Sequence, residues 1–139
     1  MSRYINDITA TKKVLCNGRI HTSDLGWLDK QGQLHLAGRK DDIINVGGFK
    51  VSPTEVENVA LSLPEIVDCI CISVPHSLLG NNLKLLVVLH TGKVLDKKRL
   101  AQFLKSKLES FKVPTLYQQV DNIKKTSNGK TDRKYYNNP

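Results

Sequence analysis

Residues 38–57, GRKDDIINVGGFKVSPTEVE, are the stretch whose reading decides the fold. Arg39 is followed by two acids, Asp41 and Asp42, and then by the apolar pair Ile43 and Ile44. Gly47 and Gly48 come next, between two short β-prone segments. Adjacent glycines supply the positive φ that a tight hairpin turn needs. The run closes on a helix start: Ser52 as N-cap, Pro53 at the first helical position, and Glu55 three residues after the cap. It reads as a charged joint, a glycine hairpin and a capped helix.

Working outward, residues 25–37 alternate in the manner of a β-hairpin with Gly32 in its turn. Upstream, residues 1–21 predict a short helix capped by Asn6 or Thr9, with Val14 and Leu15 on its apolar side, broken at Asn17–Gly18. Downstream, a helix over 53–63 carries Val56, Val59, Ala60 and Leu63 at helical spacing and stops before Pro64. A buried strand over 66–74, a loop over 76–82 and a second apolar strand over 83–90 follow. Asp96 then caps a helix to about residue 111, with Leu100, Phe103, Leu104, Leu108 and Phe111 as its stripe. Residues 116–120 predict a third strand, and the polar, basic remainder a loop with a frayed end. The order predicts an α+β fold: a small sheet of about three strands with helices packed on one side, plus β-hairpins.

A length of 139 residues supports one compact domain with an appended piece, and the 40% apolar and 24% charged fractions are those of a soluble globular protein. No window approaches the ~18 apolar residues of a membrane span, and the N-terminus lacks the apolar run of a signal peptide. A reduced, cytoplasmic setting is expected. The three cysteines are odd in number. Cys69 and Cys71 should share one strand face, at neither a zinc nor a thioredoxin spacing, as small core residues. The net charge of +8 points to anionic partners. Aromatics, at 6%, are not interleaved with the basic residues, which argues against single-stranded nucleic acid. The dispersed histidines show no metal-ligand spacing.

Four short elements offer chemistry: 21–24, Arg39 with Asp41, 47–50, and 127–130. Asp24 beside Arg39 across a hairpin offers a carboxylate for ribose hydroxyls and a cation for a phosphate or sugar. The alternative is a surface ion pair worth about 0–1 kcal/mol. Lys130 follows Gly129 on a loop, so its ammonium can be delivered into another surface as a compact charge, or it is one more lysine of a basic tail. No GxxxxGK[ST] phosphate loop and no local signature of a serine or cysteine nucleophile occur.

Taken in order, Thr22-Ser23-Asp24, Gly38-Arg39-Lys40-Asp41-Asp42, Gly47-Gly48-Phe49-Lys50-Val51 with Glu55-Val56-Glu57, Lys112-Val113-Pro114, and Asn128-Gly129-Lys130 with Asp132-Arg133 form a specific set. It resembles the C-terminal part of the adenylate-forming (AMP-binding) enzymes, most of all the acyl-CoA synthetases, over nearly the whole chain. In that family a carboxylic acid is activated with ATP to an acyl-adenylate, and the acyl group then passes to a thiol. The resemblance implies that Asp24 binds the ribose hydroxyls and Arg39 contacts the nucleotide. Asp41 matches the hinge and Lys130 the catalytic lysine of adenylation. Gly47, Gly48, Phe49 and Lys50 would line the pantetheine channel, with Lys50 near a CoA phosphate. The usual Thr-Gly-Asp is Thr-Ser-Asp here, with Ser23 in the glycine's place.

The resemblance further implies that residues 1–40 are the end of a large N-terminal domain, absent from this chain, and 41–139 the C-terminal domain. The expected reaction joins a carboxylic acid to CoA with ATP and Mg2+, releasing AMP and pyrophosphate. The chain alone is expected to be inactive and to hold no cofactor tightly. Two rivals stand beside this reading: an adenylation domain that loads a carrier protein, and a stand-alone binding module. Trp27 and Leu28, left without a partner domain, would favour a dimer.

Overall fold

The Asp7 carboxylate accepts from the Ala10 N–H at 2.8 Å and starts the first helix, α1 (Ile8–Val14), in a computed structural model that describes residues 3–137. The cap is therefore neither Asn6, which has φ 58°, nor Thr9, which lies inside the helix. Leu15 leaves the helix for a small hairpin, β1 (Leu15–Cys16) with β2 (Arg19–Ile20), because Asn17 and Gly18 both take the positive φ of a tight turn. β3 (Asp24–Leu28) pairs antiparallel with β4 (Leu34–Arg39), and the Asp29 carboxylate closes their turn by accepting from Gln31 and Gln33 N–H. These elements form one compact unit, Met1–Asp41. None of its described side chains is buried; Leu28, Leu34 and Leu36 are each about two-thirds exposed.

The second unit, Asp42–Pro139, holds the core. It opens on the glycine hairpin, β5 (Ile44–Val46) with β6 (Phe49–Val51), turning at Gly47 and Gly48 (φ 56° and 91°). α2 (Pro53–Leu61) begins as expected at Pro53, but the Ser52 hydroxyl makes no capping bond to the first turn, and the Glu55 carboxylate accepts from Lys112. Only part of the expected capping box is realised. β7 (Ile66–His76) and β8 (Gly80–Leu89) pair along their whole length, so the loop expected over 76–82 shrinks to a three-residue turn. α3 (Lys97–Lys107) starts at Asp96, whose carboxylate accepts from Arg99 N–H, and ends four residues short of the expected boundary. A 3-10 turn, Ser110–Lys112, then leads to β9 (Leu116–Gln119), parallel to β8.

The three-stranded sheet has the order β7-β8-β9. One face, with Cys69, Cys71, Leu83, Leu85 and Val87, packs on α2 and α3 through Val56, Ala60, Leu100 and Leu104. Fully burying each such aliphatic side chain contributes about 1.5–3 kcal/mol. The opposite face is also covered, by Ile123 and Tyr136 against Ile70 and Leu86. Tyr136 belongs to a helix, α4 (Arg133–Asn137), where a frayed loop was expected. Its hydroxyl accepts from Lys124 N–H, which gives the short helix an anchor. Among the described residues no helix is long and apolar enough to cross a membrane.

Candidate functional site

The glycine turn is held from three directions. Gly47 N–H donates to Leu79 O at 3.2 Å, Gly48 N–H donates to Asn45 Oδ1 at 3.0 Å, and the Asn81 amide donates to Asn45 O. Phe49 stacks on Phe111, ring centroids 4.5 Å apart and 18° between planes. Val46, Gly47, Phe49, Leu79, Phe111 and Val113 line a shallow apolar recess at the turn. A Cβ at Gly48 would meet nothing within 4 Å, while one at Gly47 would come within 3.0 Å of Leu79 Cδ2. The tip is therefore bare backbone on a fixed base, with Lys50 exposed beside it.

Lys130 sits in a second tight turn. Thr126 N–H donates to Lys130 O at 2.7 Å, Gly129 N–H donates to Thr126 O, and Lys125 bridges Thr131. Lys130 is exposed, and its ammonium has no partner among the described residues. The turn is moored to the sheet through Lys125 Nζ, which pairs with Asp68 near the start of β7. The glycine turn is moored at Leu79, just past the other end of that strand. From position 68 to 76 the strand runs about 26 Å, at ~3.3 Å per residue. The Lys125 tie and the Leu79 tie thus lie at different points along the ladder.

In the first unit, Asp24 and Arg39 are direct cross-strand partners. The cation turns toward Asp41 instead, Arg39 Nη2 to Asp41 Oδ2 at 3.9 Å with both side chains mostly exposed. No ion pair joins Asp24 to Arg39 among the described residues. Ser23 has φ 61°, the left-handed region that favours glycine. Its carbonyl accepts from Lys40 N–H at 2.9 Å. The boundary between the compact units falls between Asp41 and Asp42, within the 3-10 turn Lys40–Asp42.

Glu57, Lys112 and Arg133 fall within the sequence motifs without a role that the motifs alone assign. Glu57, on α2, is a buried carboxylate, 8% exposed. Its oxygens accept a two-pronged bond from Arg133 (3.0 and 2.6 Å), and Oε1 also accepts the Cys71 N–H at 2.7 Å, on the open edge of β7. Arg133 Nε lies 3.4 Å from Asp42 Oδ2. Burial alone would loosen the Arg133 proton, but the bond to Glu57 and the charges of Glu57 and Asp42 hold its pKa above the ordinary guanidinium value. Removing one partner of such a buried pair costs about 3–5 kcal/mol, because the other charge is left unpaired. Lys112 joins Glu55 and Glu109, and lies 5.7 Å from the Phe111 ring centroid. Its pKa is raised, first by the hydrogen bond to Glu109. The partners lie 57 and 76 positions apart in the chain, a range at which no local signal operates.

Residues 55–130 match the family described as the AMP-binding enzyme C-terminal domain. Among curated relatives, a probable CoA ligase of Humulus lupulus, CCL9, is 37% identical over 94% of this chain and 25% of its own length. A long-chain-fatty-acid–CoA ligase of Bacillus subtilis is 36% identical over 96% of this chain and 24% of its own. The chain thus spans about a quarter of these relatives. Among solved structures, o-succinylbenzoate CoA synthetase of Bacillus subtilis, in complex with its acyl-adenylate intermediate, superposes with a TM-score of 0.91. It is 29% identical over 100% of this chain and 28% of that one.

Proposed function

The chain belongs to the family of AMP-binding enzyme C-terminal domains, and from that premise we propose that it is the mobile catalytic lid of a larger acid–CoA ligase. Its relatives are CoA ligases, and a matched structure holds an acyl-adenylate. In the first half-reaction a carboxylate oxygen attacks the α-phosphorus of ATP and pyrophosphate leaves. Negative charge builds on the phosphoryl and attacking oxygens, and the Lys130 ammonium stabilises it there. Asp24 binds the ribose hydroxyls and Arg39 the nucleotide nearby. Asp41 is the hinge, with residues 1–40 closing the large domain and 41–139 forming the lid. In the second half-reaction the CoA thiol attacks the acyl carbon and AMP leaves. Gly47, Gly48 and Phe49 line the pantetheine channel, and Lys50 faces a CoA phosphate. Mg2+ arrives with ATP, and no residue of this chain is assigned to it.

The observation that carries this reading is that the two turns are tied at different places, the lysine turn to Asp68 of β7 and the glycine turn to Leu79 beyond that strand. One presents an unpaired ammonium, the other bare backbone. Separate attachment of the two groups to one ladder supports a lid that turns between steps. The phosphate loop and the acid pocket belong to the remaining three-quarters of the enzyme. Alone, the chain releases no pyrophosphate from ATP and carboxylic acids.

The deciding experiment separates the half-reactions in the complete ligase. Lys130→Ala should cut acid-dependent pyrophosphate exchange about 10²–10³-fold, the usual cost of losing one transition-state donor. Thioester formation from preformed acyl-adenylate should hold. Equal losses in both steps would sink the two-face mechanism. Offering CoA and a phosphopantetheinylated carrier protein side by side tests the acceptor.

A further inference from the structure

Lys130 can act only if its root is fixed, because an unpaired ammonium on a glycine-containing turn does not aim itself. The turn has two charged moorings. Lys125 reaches Asp68 on β7, and Arg133, three residues beyond Lys130, reaches Glu57 on α2 and Asp42. The Arg133 mooring is the more rigid. Glu57 is 8% exposed, and its Oε1 is held by the Cys71 N–H, so the carboxylate that receives the guanidinium fork is pinned by the sheet edge. The fork makes two short bonds to Glu57, and the remaining nitrogen faces Asp42, the residue immediately after Asp41. Asp132 N–H to Lys124 O and the Lys125–Thr131 bridge carry that fixation back into the turn.

We infer that Arg133 is a positioning residue for Lys130, locking the lysine turn through buried Glu57 to α2 and, through Asp42, to the start of the lid. The inference rests on the functional reading above. One guanidinium sets both the aim of the catalytic ammonium and the attachment of the segment that follows the hinge. A lysine at 133 keeps the charge but cannot reproduce two parallel bonds and a third contact.

The first test uses the 139-residue chain and reads amide hydrogen exchange. Arg133→Met should speed exchange at Thr126 and Gly129 by about tenfold or more, as a moored loop becomes one that opens locally, and leave Leu85 and Val87 unchanged. If Arg133→Met does not fold, the Glu57→Gln/Arg133→Met pair carries the measurement. It removes both charges and keeps a carbonyl for the Cys71 N–H. Unchanged exchange at Thr126 and Gly129 overturns the inference.

The second test uses the complete ligase. Arg133→Met should lower kcat of adenylation about 10–100-fold, the scale of a small misplacement, with the KM for ATP within about twofold. Thioester formation from preformed acyl-adenylate should be spared, and Arg133→Lys should restore part of the loss. Equal loss in both half-reactions marks a merely structural prop and overturns the inference. Lys130→Ala in the same assay separates the two claims. Its impairment with Arg133→Met active defeats the positioning role alone, whereas a silent Lys130→Ala defeats the functional reading and the inference together.

Discussion

Phe49 of the glycine hairpin stacks on Phe111 of the segment after α3, centroids 4.5 Å apart, although 62 positions separate them. The stack joins the glycine hairpin to the end of the helical layer. Its neighbour Lys112 carries the tie onward to Glu55 of α2. A stacked pair contributes about 0.5–1.5 kcal/mol beyond its buried area. Phe111→Ala should therefore cost about 2 kcal/mol or more in a denaturant melt, with the half-buried ring's packing added. Exchange at the Gly47 and Gly48 amides should rise with it, and a loss of stability without loosening there would show that the stack does not hold the hairpin.

Ser23 is held at φ 61° without glycine's freedom. The left-handed conformation costs an L-residue about 1–2 kcal/mol, part of which glycine gives back through its greater unfolded-state entropy. Ser23→Gly should stabilise the β3–β4 hairpin by about 0.5–1 kcal/mol. The readout is slower exchange at the Lys40 N–H, which donates to the Ser23 carbonyl. Faster exchange would mean the serine is not strained.

The buried thiols set an alkaline limit. Burial, then the charges of Glu57 and Asp68, push Cys69 up to about 12, and burial followed by Glu57 raises Cys71 as well. Both keep their protons in the folded chain at a pH where the unfolded chain loses them, near 9. Their contribution is complete below pH 9 and is lost as pH rises toward 12, by about 1.4 kcal/mol per pH unit for each thiol. Urea melts of the reduced chain at pH 8, 9 and 10 should show that slope, and a Cys69→Ala/Cys71→Ala variant should lack it. At pH 8 a thiol reagent should modify Cys16, which is exposed, well before the other two.

Tyr117 packs against the core with its hydroxyl buried and unpartnered among the described residues. Burial, and then Cys71, push its phenol up to about 12. Removing an unsatisfied buried hydroxyl is neutral or stabilising, so Tyr117→Phe should change stability by between zero and about +1 kcal/mol. A loss above ~1 kcal/mol would mean that the hydroxyl has a partner, such as a buried water.

Elements governed by neighbouring residues were legible. Gly47–Gly48 encode their turn because adjacent positive φ values are a local property, and Pro53 and Asp96 mark helix starts by the donors they leave or satisfy. The motif series from Thr22 to Arg133 pointed to the family before any coordinates did. Helix α4 was not legible: a short run of charged and tyrosine residues is stable only because Tyr136 docks on the sheet and Arg133 on Glu57. The loop over 76–82 was overestimated because polar Asn81 and Asn82 mask strand pairing that β7 imposes from across the ladder.

The sequence by itself determined the order of helices and strands from β3 to β9, the glycine turn, the α+β class and the family, because each is written in short-range pattern or in ordered motifs. Only the tertiary structure decided that Glu57 faces inward to Arg133, that Phe111 holds Phe49, and that Lys125 is tied to Asp68 while Gly47 is tied to Leu79. Those relations join residues tens of positions apart. Their cause is the cost of burying a charge or an open strand edge unpaired, which is known only when the chain has closed on itself.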